Sequence, residues 1–478
     1  MKKVILITLL CSSIFSCGKK EKTKDNNEVV KQEEDFLQDE ENIIPNDPAI
    51  FEAIVSSKNE ISVWNHPSID SLKIGTLVPK EKVQVTLQTG KFEKIPLDTI
   101  QNTYGQWLKI NYALPNSISN ISGYIFDSFV NYDQKEKQTN AQAYVSIKNE
   151  WEFLDALSSN KVILIETDTL NFDHYYKEFS GSEDFNKDAA IGHYTFSESG
   201  SLQLHDYKNL TLRSVGKQVL FIAKKIHKNL FSCTNCTNFT VDGFNFQHKK
   251  GNKNSQQGFI LTLQECKNTT FMNTEFDGSG ALGALVTNSN NIKFYKSKFY
   301  NTSGDVITIH NSNGVMVENS MLYENDHGTL VKLQQENILE EQNTLQPIQF
   351  HNSAFLHNNA TAILGIKKPK GTPINSVLKF SDCKIQNNTL LSFINFEKPN
   401  NNLGISFQNC EIINNDGADQ DFIFISRSGN SDIISFINTN IKNNKDNFEI
   451  DLSKITLKNT SINDNLYQNE DTPNGNEQ

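Results

Sequence analysis

From about residue 205 one arrangement recurs along the chain: an apolar residue, any residue, a second apolar residue, then four positions and a third apolar residue. Its copies are Phe239/Val241/Phe246, Thr269/Phe271/Phe276, Ile292/Phe294/Phe299, Val315/Val317/Leu322 and Ile348/Phe350/Phe355. They continue as Leu378/Phe380/Ile385, Ile405/Phe407/Ile412, Ile434/Phe436/Ile441 and Ile455/Leu457/Ile462, while an earlier Leu210/Leu212 lacks the third member. The spacing is fixed inside a copy and varies between copies. That combination predicts a coil whose turns are conserved and whose connecting loops are not.

Two polar columns sharpen this reading. Two residues after the second apolar position stand Asn273, Asn319, Asn352, Asp382, Asn409, Asn438 and Asn459, with Gly243 and Lys296 as exceptions. Asn tolerates the left-handed backbone that a tight corner needs, and stacked Asn side chains are expected to form an internal hydrogen-bonded ladder. The next column is small: Thr274, Ser297, Ser320, Ser353, Cys383, Cys410, Thr439 and Thr460. Asn238, Asn268, Asn291 and Gly314 mark a second corner. Residues 145–157 read as an amphipathic helix that caps the open end of the coil. Residues 172–200 read as an insertion at that end, and residues 466–478 as a disordered polar tail.

The stretch 58–132 has a different rhythm. Ile61-Ser62-Val63-Trp64, Lys82-Val83-Gln84-Val85, Trp107-Leu108-Lys109-Ile110 and Gly123-Tyr124-Ile125-Phe126 alternate with period two between turn residues. They predict a small antiparallel barrel, with residues 88–105 inserted before Trp107. Trp64, Trp107 and Tyr124 either line a groove or pack the barrel core.

At the N-terminus, Met1-Lys2-Lys3 precedes a short apolar run, Val4 to Leu10. A bilayer span needs about 20 apolar residues, so an export signal over 1–16 is the better reading. Residues 17–57 follow as a charged, flexible linker.

Composition adds limits. The 478 residues carry 45 Lys+Arg against 56 Asp+Glu, a net charge of −11, which speaks against a nucleic-acid partner needing a basic stripe. Hydrophobic residues make up only 37%, yet Phe numbers 31, so the apolar side chains are concentrated at the repeat positions. Of seven Cys, five lie beyond the N-terminal segment: Cys233, Cys236, Cys266, Cys383 and Cys410. Cys236 and Cys266 share one column in neighbouring turns, as do Cys383 and Cys410. Buried thiols, inter-turn disulfides and a weak CxxC metal motif are all open readings.

These residues support three resemblances. Ile14-Phe15-Ser16-Cys17-Gly18 resembles the lipobox of bacterial lipoproteins, which implies that Cys17 is acylated and anchors the chain to a membrane of the cell envelope, facing the periplasm or the exterior. Segment 58–132 resembles bacterial Src-homology-3-like domains, often spacers or binders of cell-wall peptides. Segment 143–465 resembles the right-handed parallel β-helix of the pectin-lyase-like superfamily. The expected fold is therefore all-β, a small barrel followed by a right-handed parallel β-helix solenoid. The expected role is a recognition or structural module, with glycan contact through the β-helix face as the expected binding activity and a purely structural spacer as a further reading; no cofactor is expected, and the sequence leaves the oligomeric state open.

Enzymes of that superfamily work along one face of the solenoid. The matching candidates here are Asp305, His310 and Lys332, able to share a face as carboxylate and base. Gly304-Asp305-Val306 resembles the Gly-Asp turns of polygalacturonases, although the second Asp that hydrolysis needs is absent beside it. A polysaccharide lyase or glycoside hydrolase is thus the alternative, with Ca²⁺ as a cofactor if a lyase. His248 (in a loop with Lys249), Asp326, His327, Tyr295 and Tyr323 are candidate ligand-binding residues, beside Asp277 and Tyr300.

Overall fold

The computed structural model describes residues 51–96, 102–113, 120–132, 143–172, 192–196, 201–223, 229–248, 258–278, 280–334, 346–367, 377–396, 401–417, 423–426, 431–442, 444 and 455–467. The expected export signal over 1–16, Cys17, Lys249, most of the expected 172–200 insertion and residues 468–478 lie outside them.

Seven antiparallel strands form the N-terminal sheet. Phe51–Val55 is one of them, pairing with both Lys82–Pro96 and Val130–Tyr132, so the sheet takes in residues upstream of 58. Instead of a loop before Trp107, Lys82–Pro96 and Asn102–Ala113 run on as two long paired arms. Alternation divides the side chains between two faces. Val63, Leu77, Val85, Leu108, Ile110 and Ile125 close one core. Trp107 and Phe126 form a second cluster on the other side of the same strands, joined by half-buried Trp64, Tyr124 and Phe129. Trp107 meets Trp64 and Phe126 edge-on, each at 5.3 Å between centroids. Trp107 is fully buried, so it packs and lines no open groove.

The rest is a coil of three parallel sheets. Sheet 1 has 12 strands, from Ala143–Ile147 to Ile455–Lys458; sheet 2 has 12 and sheet 3 has 11. Each coil contributes one strand to each sheet, and the repeat maps onto them directly. The first two apolar residues point inward from sheet 1 and the third inward from sheet 2, all of them buried except Ile462 in the last triplet, which is partly buried. In-register stacking lays like on like: Phe276 on Phe299 at 4.5 Å, and Phe380 on Phe407 at 4.7 Å, with planes 10° apart in both pairs. The missing partner of Leu210/Leu212 is Phe221, which pairs with Phe246 after a corner four residues longer.

Both predicted corners have left-handed backbone. Gly243, Asn273, Lys296, Asn319, Asn352, Asp382, Asn409, Asn438 and Asn459 all have positive φ, as do Asn238, Asn268, Asn291 and Gly314. Their side chains form ladders, for example Asn352 Nδ2 to Asn319 Oδ1 at 3.1 Å, but half-exposed at the surface. The internal ladder is a different column, three residues after the third apolar position. Asn325, Asn358, Asn388, Asn415 and Asn444 are buried, each of the first four donating Nδ2 to the next Oδ1 at 2.8–3.0 Å. The same Nδ2 atoms also donate to a carbonyl of the preceding coil, such as Asn358 to Leu322 at 2.9 Å. Here the inward side chain serves corner backbone that neighbouring strands leave unpaired.

The cap differs in detail from the expected helix. Ala143–Ile147 is the first strand of sheet 1, pairing with Lys161–Ile165. Helix α1 spans only Glu150–Ala156. Asn149 stops the strand, because its side chain accepts from Glu152 N as an N-cap while Glu152 reaches back to Lys148 N. Phe153 and Leu154 cover the coil end. Two antiparallel strands close other ends: His193–Phe196 on sheet 3, and Asn465–Tyr467 on sheet 2. Both protect edges that would otherwise be free to pair.

Candidate functional site

Outward side chains on adjacent coils stand in register, so each sheet presents its own surface. Sheet 1 carries ion pairs, Arg213 Nε to Asp242 Oδ2 at 2.9 Å and Lys293 Nζ to Glu318 Oε2 at 2.5 Å. Asp242 is buried, and burial raises its carboxyl above the usual range, with Arg213 opposing that shift. Sheet 2 carries Glu275, Asp277, Lys298, Tyr300, Met321 and Tyr323 on its outer side.

Sheet 3 is chemically different. Leu204, Cys233, Leu263, Val286, Ile309 and Leu333 point inward, fixing the alternate residues as outward. One outer row reads Gln203, Ser232, Thr262, Leu285, Thr308 and Lys332. The next reads His205, Thr234, Gln264, Thr287, His310 and Gln334. Most of these side chains carry a hydroxyl, amide or imidazole. The hydroxyls of Thr262 and Thr308 are buried and make no hydrogen bond to protein, and Thr308 is only 5% exposed.

The predicted catalytic residues all belong to this sheet, but only two meet. Asp305 Oδ2 accepts from Lys332 Nζ at 2.9 Å, and its Oδ1 accepts from Thr329 N at 3.0 Å. His310 ends the strand that Asp305 begins. At roughly 3.3 Å per residue, the two are about 16 Å apart along the strand. Gly304 is small for packing reasons, since a Cβ there would lie 2.0 Å from the carbonyl oxygen of Ala281 in the preceding coil.

The ligand-binding candidates scatter over other surfaces. Tyr295 belongs to sheet 1, where Lys293 and Lys296 lie 4.9 and 5.6 Å from its ring centre. Tyr323 is buried on sheet 2, stacked on Tyr300 at 5.0 Å. Burial and then Glu275, which accepts from the Tyr300 hydroxyl, raise the Tyr300 pKa. His248 is no loop residue: it ends strand Phe244–His248, 1% exposed, with Nδ1 3.1 Å from Gly278 O. Asp277 likewise sits in a strand, accepting from Gln247 and Asn301. Asp326 and His327 form the corner between sheets 2 and 3, 3.4 Å apart, with His327 exposed and at positive φ. The tyrosines and charged groups therefore do not converge on one groove.

One cluster has no counterpart in the motif reading. His193 and His205 face each other across antiparallel strands and stack at 4.7 Å with planes 9° apart. His193 Nδ1 lies 3.6 Å from Asp206 Oδ2, and Thr195 Oγ1 lies 3.1 Å from His205 Nε2. Burial lowers the His205 pKa and the His193 charge lowers it further, against a smaller opposite effect of Asp206. The pairing joins residues whose register only the fold sets.

Cys233, Cys236, Cys266, Cys383 and Cys410 are free and buried. Cys266, Cys383 and Cys410 replace hydroxyls of the small columns, each donating Sγ–H to a carbonyl two residues before and one in the preceding coil, and burial pushes the Cys383 thiol up. Among the described residues no group of three or more His, Cys, Asp or Glu side chains is arranged to hold a metal ion.

A family model described as right handed beta helix region matches residues 229–396. No curated protein sequence matches the chain. Among solved structures, a polygalacturonase from Erwinia carotovora ssp. carotovora is similar at 12% identity and a TM-score of 0.38, covering 68% of this chain and 94% of that one. An endo-xylogalacturonan hydrolase from Aspergillus tubingensis has 12% identity and 0.37, covering 67% and 92%. The catalytic domain of a GH87 α-1,3-glucanase has 11% and 0.36, covering 87% and 88%. Likenesses this remote say nothing of substrate. The parallel coil and the family match together make the solenoid a right-handed parallel β-helix.

Proposed function

We propose that the chain is a lipid-anchored protein of the bacterial cell envelope that contacts glycans through the outer face of its β-helix. The lipobox-like Ile14-Phe15-Ser16-Cys17 and the charged segment after it support anchoring through Cys17. The N-terminal barrel, in its resemblance to Src-homology-3-like domains, serves as a spacer or a contact to cell-wall peptide. The observation that carries glycan contact is the outer face of sheet 3, where hydroxyl and amide side chains repeat in register over six coils. Sugars are recognised by such groups. In this reading Asp305 and Lys332 neutralise one another and act as an orienting pair, and His310 belongs to the binding row.

The test has two parts. The full chain is screened for glycan binding and polysaccharide degradation beside the Asp305→Ala/His310→Ala/Lys332→Ala variant. Binding without product release supports the proposal. Product release abolished in the variant overturns it in favour of a lyase or hydrolase. For the anchor, cells fed a labelled fatty acid should label the wild type and not Cys17→Ser.

A further inference from the structure

Strand His193–Phe196 closes the N-terminal edge of sheet 3, and its outer side is held there by polar contacts alone. His193 stands opposite His205, and Thr195 opposite Gln203, in antiparallel register. The two imidazoles stack 4.7 Å apart with planes at 9°. Thr195 Oγ1 donates to Gln203 Oε1 at 3.1 Å and lies 3.1 Å from His205 Nε2. On the inner side Tyr194 and Phe196 pack on the core, with Phe196 5.9 Å from Phe172. Gly192 leads the strand in at positive φ against Tyr207, whose ring a Cβ there would meet at 2.5 Å. The strand is therefore a short strap over the end of the core, with Phe172 and Tyr207 buried beneath it.

The charges around the pair are unevenly placed. Asp206, at the corner after His205, has Oδ2 3.6 Å from His193 Nδ1, and its Oδ1 accepts from Asn235 at 2.6 Å. The next coil sets the uncharged Thr234 beside His205. From helix α1, Asp155 acts on Tyr194, on the other side of the strap. His193 Nδ1 is buried without a hydrogen bond, so a proton placed there is met by Asp206. A proton on His205 instead meets burial and a cationic ring 4.7 Å away, with Asp206 already engaged. In keeping with this, burial and then His193 lower the His205 pKa, against a smaller opposite effect of Asp206.

Release of the strap separates the rings and returns His205 to water, where its pKa is about 6.5. The open strap thus takes up a proton that the closed one resists, so acid favours opening. We propose that the stacked His193 and His205 form an acid-operated latch. At neutral pH it holds the strap closed. With both rings protonated, strand His193–Phe196 leaves the sheet and bares the edge of Leu202–His205 together with the aromatic side chains beneath. An end of the solenoid that was closed then offers unpaired backbone and apolar surface, the features by which a sheet edge adheres. The latch depends neither on what the outer face binds nor on the anchor.

The experiment follows binding of the uncharged apolar dye Nile red to the full chain as pH is lowered from about 7.5 to about 5, across the range where imidazole titrates. Two variants accompany the wild type. Thr195→Cys/Gln203→Cys joins a directly opposed pair by a disulfide, which shuts the strap until reductant is added. His205→Gln removes the titrating ring. The oxidised and reduced forms of the double variant compare the two states within one folded protein, and thermal melting at neutral pH confirms that His205→Gln folds. The expected result is a dye signal that rises at least about fivefold in the wild type, with its midpoint below about pH 6.5. The oxidised double variant should stay flat, reduction should restore the rise, and His205→Gln should lose most of it. No rise in the wild type would overturn the latch. An equal rise in the oxidised double variant would overturn it too, by placing the exposed surface elsewhere. A rise that His205→Gln leaves unchanged would overturn the role of the histidine pair.

Discussion

Asn358 sits in the middle of the internal ladder, and its removal tests how far that ladder supports the coil. Its Nδ2 donates to Leu322 O and to Asn388 Oδ1, both at 2.9 Å. Its Oδ1 accepts from Asn325 N at 3.1 Å and from Asn325 Nδ2 at 3.0 Å. All of this is buried, with Asn358 1% exposed. Asn358→Ala removes four hydrogen bonds at once. At a net contribution of roughly 1 kcal/mol each, the loss is about 4 kcal/mol. A buried donor left without a partner adds to that figure, and relaxation or an entering water reduces it. Asn409→Gly is the control, since it removes surface ladder bonds of 3.0 and 3.2 Å while keeping a residue suited to positive φ. It should cost under about 1 kcal/mol. Because coils of a solenoid couple mainly to their neighbours, guanidinium unfolding should be paired with hydrogen exchange of the peptides around 355–366 and 386–396. Asn358→Ala should speed exchange there more than at the coil ends. An Asn358→Ala protein within about 1 kcal/mol of wild type, with unchanged local exchange, would refute the ladder as a structural support.

Three further outcomes follow from the same geometry. Thr269 occupies a core position between Phe239 and Ile292, and its buried hydroxyl has no hydrogen bond, so Thr269→Val should raise stability by about 1 kcal/mol in chemical denaturation. A Cβ on Gly328 would lie 1.8 Å from the carbonyl oxygen of Gly304, so Gly328→Ala should force those coils apart and destabilise by roughly 3 kcal/mol, read as a lowered unfolding midpoint. His205 has its pKa lowered in the fold, so the unfolded chain takes up the proton first. Its stabilising share is therefore complete above the unfolded value of about 6.5 and is lost as pH falls through that value toward the folded one. Hydrogen exchange of 193–205, corrected for intrinsic rate, should rise from pH 7.5 to about pH 5 in the wild type and much less in His205→Gln.

How much of this was legible beforehand varies with the kind of residue. The apolar triplets and the corner Asn columns reported inward positions and positive φ correctly, because both follow from local backbone geometry repeated many times. The internal ladder was equally present as a column at Asn325, Asn358, Asn388, Asn415 and Asn444, but adjacent Asn at Asn359, Asn387 and Asn414 mask it. Only the corner's twist decides which of two neighbouring amides turns inward. The cap helix, Glu150–Ala156, is shorter than the helical pattern over 145–157 predicts, since Val145 and Ile147 satisfy a strand period as well as a helical one.

The sequence by itself determined the stacking of like residues on like, and with it the coil, its core and its corners. What only the tertiary structure decided is which side chains share a surface. Tyr295, Tyr323 and His310 lie close in the chain yet fall on three sheets, because a coil turns through all three within one repeat. Asp305 and Lys332, 27 residues apart, meet at 2.9 Å. His193 and His205 stack because an antiparallel strand sets their register. A side chain's direction depends on its place around the coil, and its neighbours come from the coils above and below. Both are properties of the closed solenoid.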